Sequence, residues 1–461
     1  MPHFSHASRL EVPPASPREA CYAAGSLEPY AMTAFAKHLA TRSASRFHYA
    51  WIVVALIFLV LLTAAGIRAT PAVLIVPLEQ EFGWSRSTIS FAISVNIALY
   101  GLIGPFSAAA MQRFGIRPVV MGGLLLLSAG TALSTLMQQP WQLVATWGMV
   151  VGCGSGVAAT TLAATVVGRW FETRRGLAMG LLTASSATGQ MVFLPLMASM
   201  TAHQGWRSVA WMVAAIAALA IPVVALLLPE TPQALGLCSY GATGPAPQAE
   251  ESNGKQNLFM VAIYALTRAM AKRDFWLLFA SFFVCGMSTN GYIGTQFIAM
   301  CGDYGLSAVS GAGILAAMGM LDLLGTTMSG WLTDRYDSRI LLFWYYGLRG
   351  LALLFLPQAF GLGYFGLPVF ALFYGLDWIA TVPPTVRLAN DVFGRMAAPV
   401  VFGWIAAGHQ LGAAFANFLS GTLRASLGTY TASSMLMGGV CVACAVLVLQ
   451  INRGGKLEAA H

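Results

Sequence analysis

Twelve stretches of about 20 or more mainly apolar residues follow one another along this chain, and no other feature restricts its fold as strongly. A helix that spans a membrane needs about 20 such residues. Charged residues make up only 9% of the 461 residues and hydrophobic residues 57%, whereas soluble domains carry about a quarter charged residues. The sequence therefore predicts an all-α membrane protein with twelve transmembrane helices. The stretches cover residues 50–78, 87–110, 118–137, 141–167, 175–199, 206–228, 274–300, 307–332, 339–357, 362–389, 397–423 and 429–451.

A long polar connection divides these stretches into two sets of six. Its segments LPETPQALGL and GATGPAPQAEESNGKQN are rich in proline, glycine and alanine, which is typical of a flexible linker. The start of the chain has several prolines and no apolar core behind a basic segment, so we expect a disordered cytoplasmic tail there and no cleavable signal peptide, with Met32 as an alternative first residue. The predicted organisation is tail, six-helix half, cytoplasmic linker, six-helix half and cytoplasmic tail, over residues 1–48, 49–228, 229–273, 274–452 and 453–461.

The basic residues of the short loops predict the orientation. The loops at one end of the predicted bundle carry most of the arginines: Arg113, Arg117, Arg169, Arg174, Arg175, Arg335, Arg339 and Arg395. The loops at the other end carry little beyond Arg86, Arg207 and Arg424. Because basic loops face the cytoplasm, we place both termini inside, in a bacterial-type inner (plasma) membrane. The net charge of +8 then reflects loops that face anionic lipid, and no nucleic-acid partner is expected.

The two sets of stretches also repeat in sequence. An ungapped shift of 222 residues, which places EFGWSRSTIS on DYGLSAVSGA, matches four pairs of residues in equivalent loops: Gly83 with Gly305, Ser85 with Ser307, Arg113 with Arg335, and Arg117 with Arg339. Two parallel repeats of six helices are typical of transporters whose substrate site lies between the halves, near the middle of the membrane.

The loop signature G-x-x-x-D-R-x-G-x-R is partly present in residues 330–339, GWLTDRYDSR, and more weakly in residues 108–117, AAAMQRFGIR. In these residues the chain resembles the major facilitator superfamily, over about residues 49–452. The resemblance implies alternating access to a central site and an ion pair at the helix ends that holds one conformation. Ala108 and Gln112 replace the glycine and the acid, so this pair is expected to be weaker in the first half. The residues predicted to take part in gating are Arg387, Asp334, Arg335, Arg339, Arg113 and Arg117.

Within the superfamily, the chain is most similar to proton-linked monocarboxylate transporters and oxalate/formate antiporters. The similarity rests on IVPLEQEFGWSRSTIS, on RRGLAMGLLTASSATGQMVFLPL followed by GWR, and on MLDLLGTTMSGWLTD. The resemblance implies a small organic anion as substrate, and it implies two cations that this chain lacks. An arginine is expected one turn after Asp322, where Thr326 stands, and a lysine in the eleventh span, where AAGHQLG has Gly408 and His409.

Arg68 lies inside the first apolar stretch, in TAAGIRATPAVLI. A charged side chain within a span is costly unless it faces protein or water. The repeat partner of Arg68 is Asn290, and in the fold that the resemblance implies, the first and seventh spans line the central cavity. Members of this branch carry a lysine at the position of Ala72, one turn away on the same helix face. We therefore interpret Arg68 as the displaced cation that binds the substrate; the alternative is a side chain that extends to the outer headgroups.

Asp322 and Asp377 are the predicted proton-coupling residues. A carboxylate in an apolar span is costly to keep charged, and this property suits a proton carrier. The alternative for Asp322 is a permanent pair with Arg68 or Arg349, and the alternative for Asp377 is a hydrogen-bonded packing role. We expect Arg349 to serve packing or to contact Asp322. In the tenth span, Pro383–Pro384 can break the helix and form a hinge.

Other polar side chains of the spans complete the predicted substrate site. Tyr100 is the repeat partner of Asp322, and His409 is of the residue type that suits a pH-dependent contact. The candidates for substrate binding, besides Arg68, are Tyr100, Asn290, Tyr292, Gln296 and His409, with Asn96, Gln190 and Gln410 as weaker candidates.

The sequence contains neither H-E-x-x-H nor G-x-S-x-G, and only His203 and His409 lie outside the terminal segments, so we expect no enzyme, no metal site and no cofactor. A receptor or scaffold with a transporter fold is a further alternative, and a long folded tail would favour it. The prediction is a secondary active transporter that moves a small organic anion, first of all a monocarboxylate, with proton coupling, as a monomer. The alternative is proton-driven efflux of a drug or a metallophore-like compound, and the direction of transport stays open.

Overall fold

The computed structural model describes residues 36, 38–42, 47–158, 160–242 and 258–452. Most of the predicted N-terminal tail, the predicted C-terminal tail and part of the predicted linker lie outside the described residues. The described chain is helical apart from short connections and one isolated bridge between Phe171 and Tyr240. The prediction of an all-α membrane fold is confirmed.

Each predicted span is helical, and several spans are interrupted. In the first half the helices are Ala50–Ala69, Pro71–Phe82, Arg86–Phe114, Ile116–Ser134, Pro140–Leu143, Gly152–Val157, Thr160–Trp170, Arg175–Gln204 and Trp206–Leu227, with π-helical turns at Val144–Val151. In the second half they are Leu258–Met270, Arg273–Gly286, Gly294–Asp303, Ala308–Thr333, Ser338–Ala359, Gly363–Asp377, Val382–Leu427 and Thr431–Val448, with π-helical turns at Met287–Ile293.

Within the described residues, ten helices are long and apolar enough to cross a membrane. The fifth and eleventh predicted spans are helical as well. The fifth is Arg175–Gln204, and the eleventh is the part of Val382–Leu427 that follows Gly394, where φ of 77° and ψ of 154° interrupt the helix. The chain is therefore a multi-pass integral membrane protein. We call the end with Arg113 and Arg335 the inner end, following the predicted orientation, and the opposite end the outer end.

The residues matched by the 222-residue shift perform the same local tasks in both halves. Gly83 and Gly305 both have positive φ, of 65° and 79°, which glycine adopts without a steric penalty. Two residues later, Ser85 and Ser307 cap the next helix, each accepting a hydrogen bond from the backbone N–H three residues on. The two halves therefore share helix boundaries as well as sequence.

The spans pack closely because glycines lie at their contacts. A Cβ added at Gly154 would lie 2.8 Å from the carbonyl oxygen of Gly123, and one at Gly412 would lie 2.1 Å from that of Phe283. Small residues let helix backbones approach where a membrane provides no hydrophobic driving force. The glycine-rich run GCGSG therefore serves helix packing. Cys441 and Cys444 are buried free thiols.

At the inner end of the first half, Glu230 binds the N-terminus of the helix Ile116–Ser134, a role that the sequence motifs did not reveal. Its carboxylate accepts hydrogen bonds from the backbone N–H groups of Ile116 and Arg117, at 2.6 and 2.9 Å. It also lies 3.8 Å from the guanidinium of Arg169. Gly115 makes room for it, since a Cβ there would lie 2.6 Å from the carboxylate. The acid that is missing from the first loop signature is therefore replaced by one that follows the sixth span.

Replacing Glu230 by alanine should lower the stability of the first half by about 2–4 kcal/mol, because two hydrogen bonds to a charged group are lost at a helix N-terminus. Thermal unfolding of the purified protein in detergent measures this effect. Glu172→Ala removes an exposed acid nearby and should leave the unfolding temperature unchanged. Equal unfolding temperatures for the two variants would contradict the role of Glu230.

Candidate functional site

A cavity of about 80 Å³ lies between the two halves. Alanine, proline, isoleucine and leucine side chains form its apolar walls, and both halves contribute polar groups. The first, second and fifth spans line it from one half, and the seventh, eighth and eleventh from the other. Its polar lining consists of Arg68, Asn96, Tyr100, Asn290, Thr295 and Gln410.

Arg68 lies three residues before Pro71, where the first span lacks one backbone donor. It occupies the last turn of Ala50–Ala69, and the next helix begins at Pro71, which has no N–H to donate. Thr70 keeps α-helical φ and ψ angles, and its N–H donates to the carbonyl oxygens of Gly66 at 3.1 Å and Ile67 at 3.3 Å, so the helix continues past the missing donor. The guanidinium carbon of Arg68 lies 4.6 Å from the ring centre of Tyr100, a cation–π contact that helps hold a charge in an apolar region.

The second half faces Arg68 with uncharged amides. Asn290, the repeat partner of Arg68, lies in the π-helical turns Met287–Ile293, and such turns occur frequently at functional sites. Gln410 reaches the cavity against Gly101, where an added Cβ would lie only 2.4 Å from the glutamine side chain. The cavity is therefore electrostatically asymmetric: the cationic group comes from the first half, and hydrogen-bonding amides come from the second.

Three of the predicted substrate-binding residues, Tyr292, Gln296 and His409, are not part of this cavity lining. The hydroxyl of Tyr292 lies 2.6 Å from that of Ser434, and both residues are buried within the second half. The ring of His409 packs against Phe282, with ring centres 5.0 Å apart. The structure brings together Arg68, Tyr100 and Asn290, as predicted, and places the other three in the surrounding protein.

A group of charged residues closes the cavity toward the outer end; we call it the outer cluster. The guanidinium of Arg86 contacts both carboxylate oxygens of Asp303, at 3.0 and 3.1 Å, and its Nε donates to Glu79 at 2.8 Å. Arg424 donates to the same Asp303 at 2.6 Å, and Tyr430 receives a hydrogen bond from Arg86 at 3.1 Å. Bidentate arginine–carboxylate pairs are among the stronger polar contacts. The outer cluster thus joins the two halves.

Gln296 continues this network inward. It accepts a hydrogen bond from the hydroxyl of Tyr430 at 2.8 Å, and its amide donates to Ser90 and Asn417, at 3.0 and 2.7 Å. Asn417 in turn donates to Ser94 at 2.9 Å. Ser94 belongs to the same helix as the cavity residues Asn96 and Tyr100, so Gln296 lies between the outer cluster and the cavity.

Several hydrogen bonds and an ion pair between described residues connect the two halves in this outer region. They join Arg86 to Asp303 and Tyr430, Ser87 to Thr422, Ser90 to Gln296 and Asn417, and Ser94 to Asn417. Outside the outer cluster, a larger recess of about 830 Å³ is bordered by Glu79, Arg86 and Asp303. The structure therefore shows a cavity closed on its outer side.

Sequence motifs did not point to the outer cluster, but the repeat offers a signal. The 222-residue shift matches Asp303 with Glu81. Glu81 forms an ion pair with Arg207 at 2.5 Å, inside the first half, and accepts a hydrogen bond from Trp206. Equivalent acidic positions therefore bind arginine in both halves. Only the second of them also binds an arginine of the other half, Arg86.

The predicted proton-coupling residues lie inside the second half. Asp377 pairs with Arg349 at 2.7 Å, and both side chains are almost fully buried, at 8% and 1% exposure. Asp322 accepts hydrogen bonds from the backbone N–H of Ile379 at 2.9 Å and from Thr326 at 2.8 Å. Thr326 therefore occupies, as a hydrogen-bond donor, the place where the resemblance implies an arginine. Packing or a contact with Asp322 was expected for Arg349, and the direct hydrogen bond that it makes to an acid is to Asp377.

The predicted gating residues lie at the inner end and contact their own half. Arg387 donates to the carbonyl oxygen of Thr333, and Arg117 to that of Leu228. Arg339 pairs with Asp337 at 2.8 Å rather than with Asp334, the acid of the signature. Asp334 and Arg335 are exposed. Arg335 lies over the ring of Trp331, and Arg113 lies over that of Phe114.

The fold and the site geometry are those of a membrane transporter of small molecules. Residues 54–397 match the family model of the Major Facilitator Superfamily, and the chain belongs to that family. Its family and fold are those of transporters and not of enzymes.

Two curated relatives are similar over most of the chain. The chain is 26% identical over 398 residues to monocarboxylate transporter 13 of Bos taurus, covering 86% of this chain and 87% of that protein. It is 25% identical over 350 residues to the uncharacterized MFS-type transporter YcxA of Bacillus subtilis (strain 168), covering 74% of this chain and 80% of that protein. Among solved structures, a partially occluded inward-open conformation of the xylose transporter XylE from E. coli superimposes with a TM-score of 0.64 at 13% identity, over 87% of this chain and 97% of that one.

Replacing Arg86 by glutamine should open the outer side of the cavity. Loss of a largely buried bidentate ion pair costs roughly 3–5 kcal/mol, and each 1.4 kcal/mol changes an equilibrium about tenfold. In a background without reactive cysteines, a cysteine at Thr295 should therefore react with a membrane-impermeant thiol reagent, added from outside, at least about tenfold faster in the variant.

The matched control is Arg207→Gln, which breaks the equivalent ion pair to Glu81 inside the first half. It should leave the labelling rate unchanged. If Arg86→Gln and Arg207→Gln gave the same rate as the unmodified background, the outer cluster would not be what closes the cavity.

Proposed function

We propose that this chain is a secondary active transporter that moves a small organic anion, first of all a monocarboxylate, across a bacterial-type inner membrane. The observation that carries the proposal is Arg68: a guanidinium at the wall of a small cavity between two halves, facing uncharged amides. In a low-dielectric cavity a single arginine attracts a carboxylate much more strongly than in water. The names of the curated relatives, which include monocarboxylate transporters, support the same substrate class.

The cavity suits a small substrate with a charged end and an uncharged polar end. A carboxylate would bind the guanidinium of Arg68 in a bidentate manner. The hydroxyl or carbonyl group of the same substrate would then meet Asn290 and Gln410 on the opposite wall. A cavity of about 80 Å³ favours a molecule of a few heavy atoms over the larger compounds of the efflux alternative.

Alternating access follows from where the halves are joined. The inter-half hydrogen bonds described above lie on the outer side, which corresponds to a conformation closed to the outside. We propose that breaking the outer cluster and forming contacts at the inner end, where Arg387, Asp334, Arg335, Arg339, Arg113 and Arg117 lie, exposes the cavity to the other side. Proton binding at Asp322, with Asp377 as the second candidate, would couple this movement to the proton gradient.

Replacing Arg68 by glutamine should strongly reduce uptake of labelled lactate, pyruvate or acetate into proteoliposomes with a pH gradient. Loss of the cation removes about 2–5 kcal/mol of anion affinity, so uptake at low substrate concentration should fall by at least ~30-fold. Arg68→Lys, which keeps the charge but not the planar pair of donors, should show an intermediate loss.

Arg268→Gln serves as the control, because Arg268 is exposed on a helix of the linker region, over the ring of Tyr264, and should transport normally. Labelled oxalate tests whether the substrate carries one charge or two. No uptake of any acid by folded, inserted protein would contradict the anion proposal and move proton-driven efflux of larger compounds to first place.

A further inference from the structure

The tenth span is broken in the interior of the second half. Its outer helix ends at Asp377, its inner helix begins at Val382, and residues 378–381 form a turn between them. Pro383 and Pro384 explain the break, since neither can donate a backbone hydrogen bond to the residue four positions earlier. The freed backbone groups must still be bonded, because no water is available in the hydrocarbon region.

Side chains of two neighbouring spans bond these groups. From the eighth span, the carboxylate of Asp322 accepts the N–H of Ile379 at 2.9 Å, and the hydroxyl of Ser329 donates to the carbonyl oxygen of Ala380 at 2.5 Å. From the ninth span, Arg349 donates to the carbonyl oxygens of Asp377 and Trp378. Asp322 and Arg349 therefore act as caps of the two helix ends.

The charges match the ends that they cap. The N-terminal end of a helix carries partial positive charge and the C-terminal end partial negative charge. The anion Asp322 lies where the inner helix begins, and the cation Arg349 lies where the outer helix ends. The eighth and tenth spans approach closely enough for this because Gly325 has no side chain; a Cβ there would lie 1.7 Å from the carbonyl oxygen of Leu376.

The arginine that faces Asp322 is engaged by another acid. Arg349 pairs with Asp377, at 2.7 Å. The other titratable groups that face the cluster are Cys285 of the seventh span and, next to Cys285, His409 of the eleventh. Because Arg349 has Asp377 as its partner, protonation of Asp322 weakens the cap without leaving Arg349 unpaired.

We propose that Asp322 is a proton-operated cap of the inner helix of the tenth span: when it binds a proton, its hydrogen bond to Ile379 weakens and the inner helix moves as a hinged segment. This inference rests on the proton coupling proposed above and states what the proton does. The inner helix carries Arg387, which bonds to Thr333 at the inner end. Asp322 lies seven residues beyond the cavity residue Leu315, about 10 Å toward the inner end. The proton therefore acts on the inner side of the cavity and not on the substrate.

Hydrogen–deuterium exchange of peptides that cover residues 378–394 tests this cap in the purified, full-length protein. Rates are compared at acidic and at neutral pH after correction for the intrinsic pH dependence of exchange. In the unmodified protein, exchange in this segment should be about tenfold faster at acidic pH, since a hydrogen bond to a charged group contributes about that factor. Asp322→Asn keeps an acceptor oxygen but no charge, so exchange should be fast at both pH values.

Two further variants complete the test. Asp322→Glu restores a carboxylate and should restore a difference between the two pH values. Asp391→Asn removes an exposed carboxylate within the measured segment and should behave as the unmodified protein. Exchange that is independent of pH in the unmodified protein would overturn the proposal, and this result needs no variant to fold. A pH difference that persists in Asp322→Asn would overturn it as well.

The exchange experiment requires no substrate, and it separates this inference from the proposed function. A pH-dependent segment in a protein that takes up no organic acid would support the cap and contradict the substrate class. Acid uptake that requires a proton gradient, with a segment insensitive to pH, would support the transport proposal and overturn the cap.

Discussion

Every backbone N–H and C=O group in the hydrocarbon region of a membrane must find its partner inside the protein. This chain meets that constraint with helices and departs from regular α-helix at several points in its interior. Polar side chains lie at or near three of these points: Arg68 precedes Pro71, which lacks a backbone donor, Asn290 lies in the π-helical turns of the seventh span, and Asp322 caps the turn at residues 378–381. At the tenth span, irregular backbone and intramembrane charge occur together because Asp322 and Arg349 bond the backbone groups that the break frees.

These features are arranged in series from the outer to the inner end. The outer cluster around Arg86 and Asp303 joins the halves, and the hydrogen bonds of Gln296 lead inward from it. Next comes the cavity, where Arg68 is the one cationic group among the described lining residues. Beyond the cavity lies the broken tenth span. The proposed substrate site between a closed outer end and the proposed hinged inner segment has the geometry that alternating access requires. In this proposal, proton and substrate act at different depths, linked through the eighth span.

Much of this could be predicted from the sequence. Apolar length and arginine placement define the spans, and the 222-residue repeat pairs Arg68 with Asn290, which line the same cavity. Contacts between residues far apart in sequence could not be predicted. Examples are the hydrogen bonds of Glu230 to the N-terminus of Ile116–Ser134 and the ion pair of Arg86 with Asp303. Tyr292 and Gln296 were assigned to the cavity as polar side chains of a span that lines it. Tyr292 lies within the π-helical turns Met287–Ile293 and Gln296 follows them, and these turns change the rotation per residue, so both side chains face elsewhere.

The central claim is that the cavity around Arg68 binds the transported anion. The most direct measurement is an experimental structure of the protein in lipid with a transported acid bound, at a resolution that shows its carboxylate. The account predicts both carboxylate oxygens within hydrogen-bond distance of the Arg68 guanidinium, and the other end of the acid against Asn290 and Gln410. An acid bound in the outer recess or inside the second half, with Arg68 making no contact to it, would contradict the account.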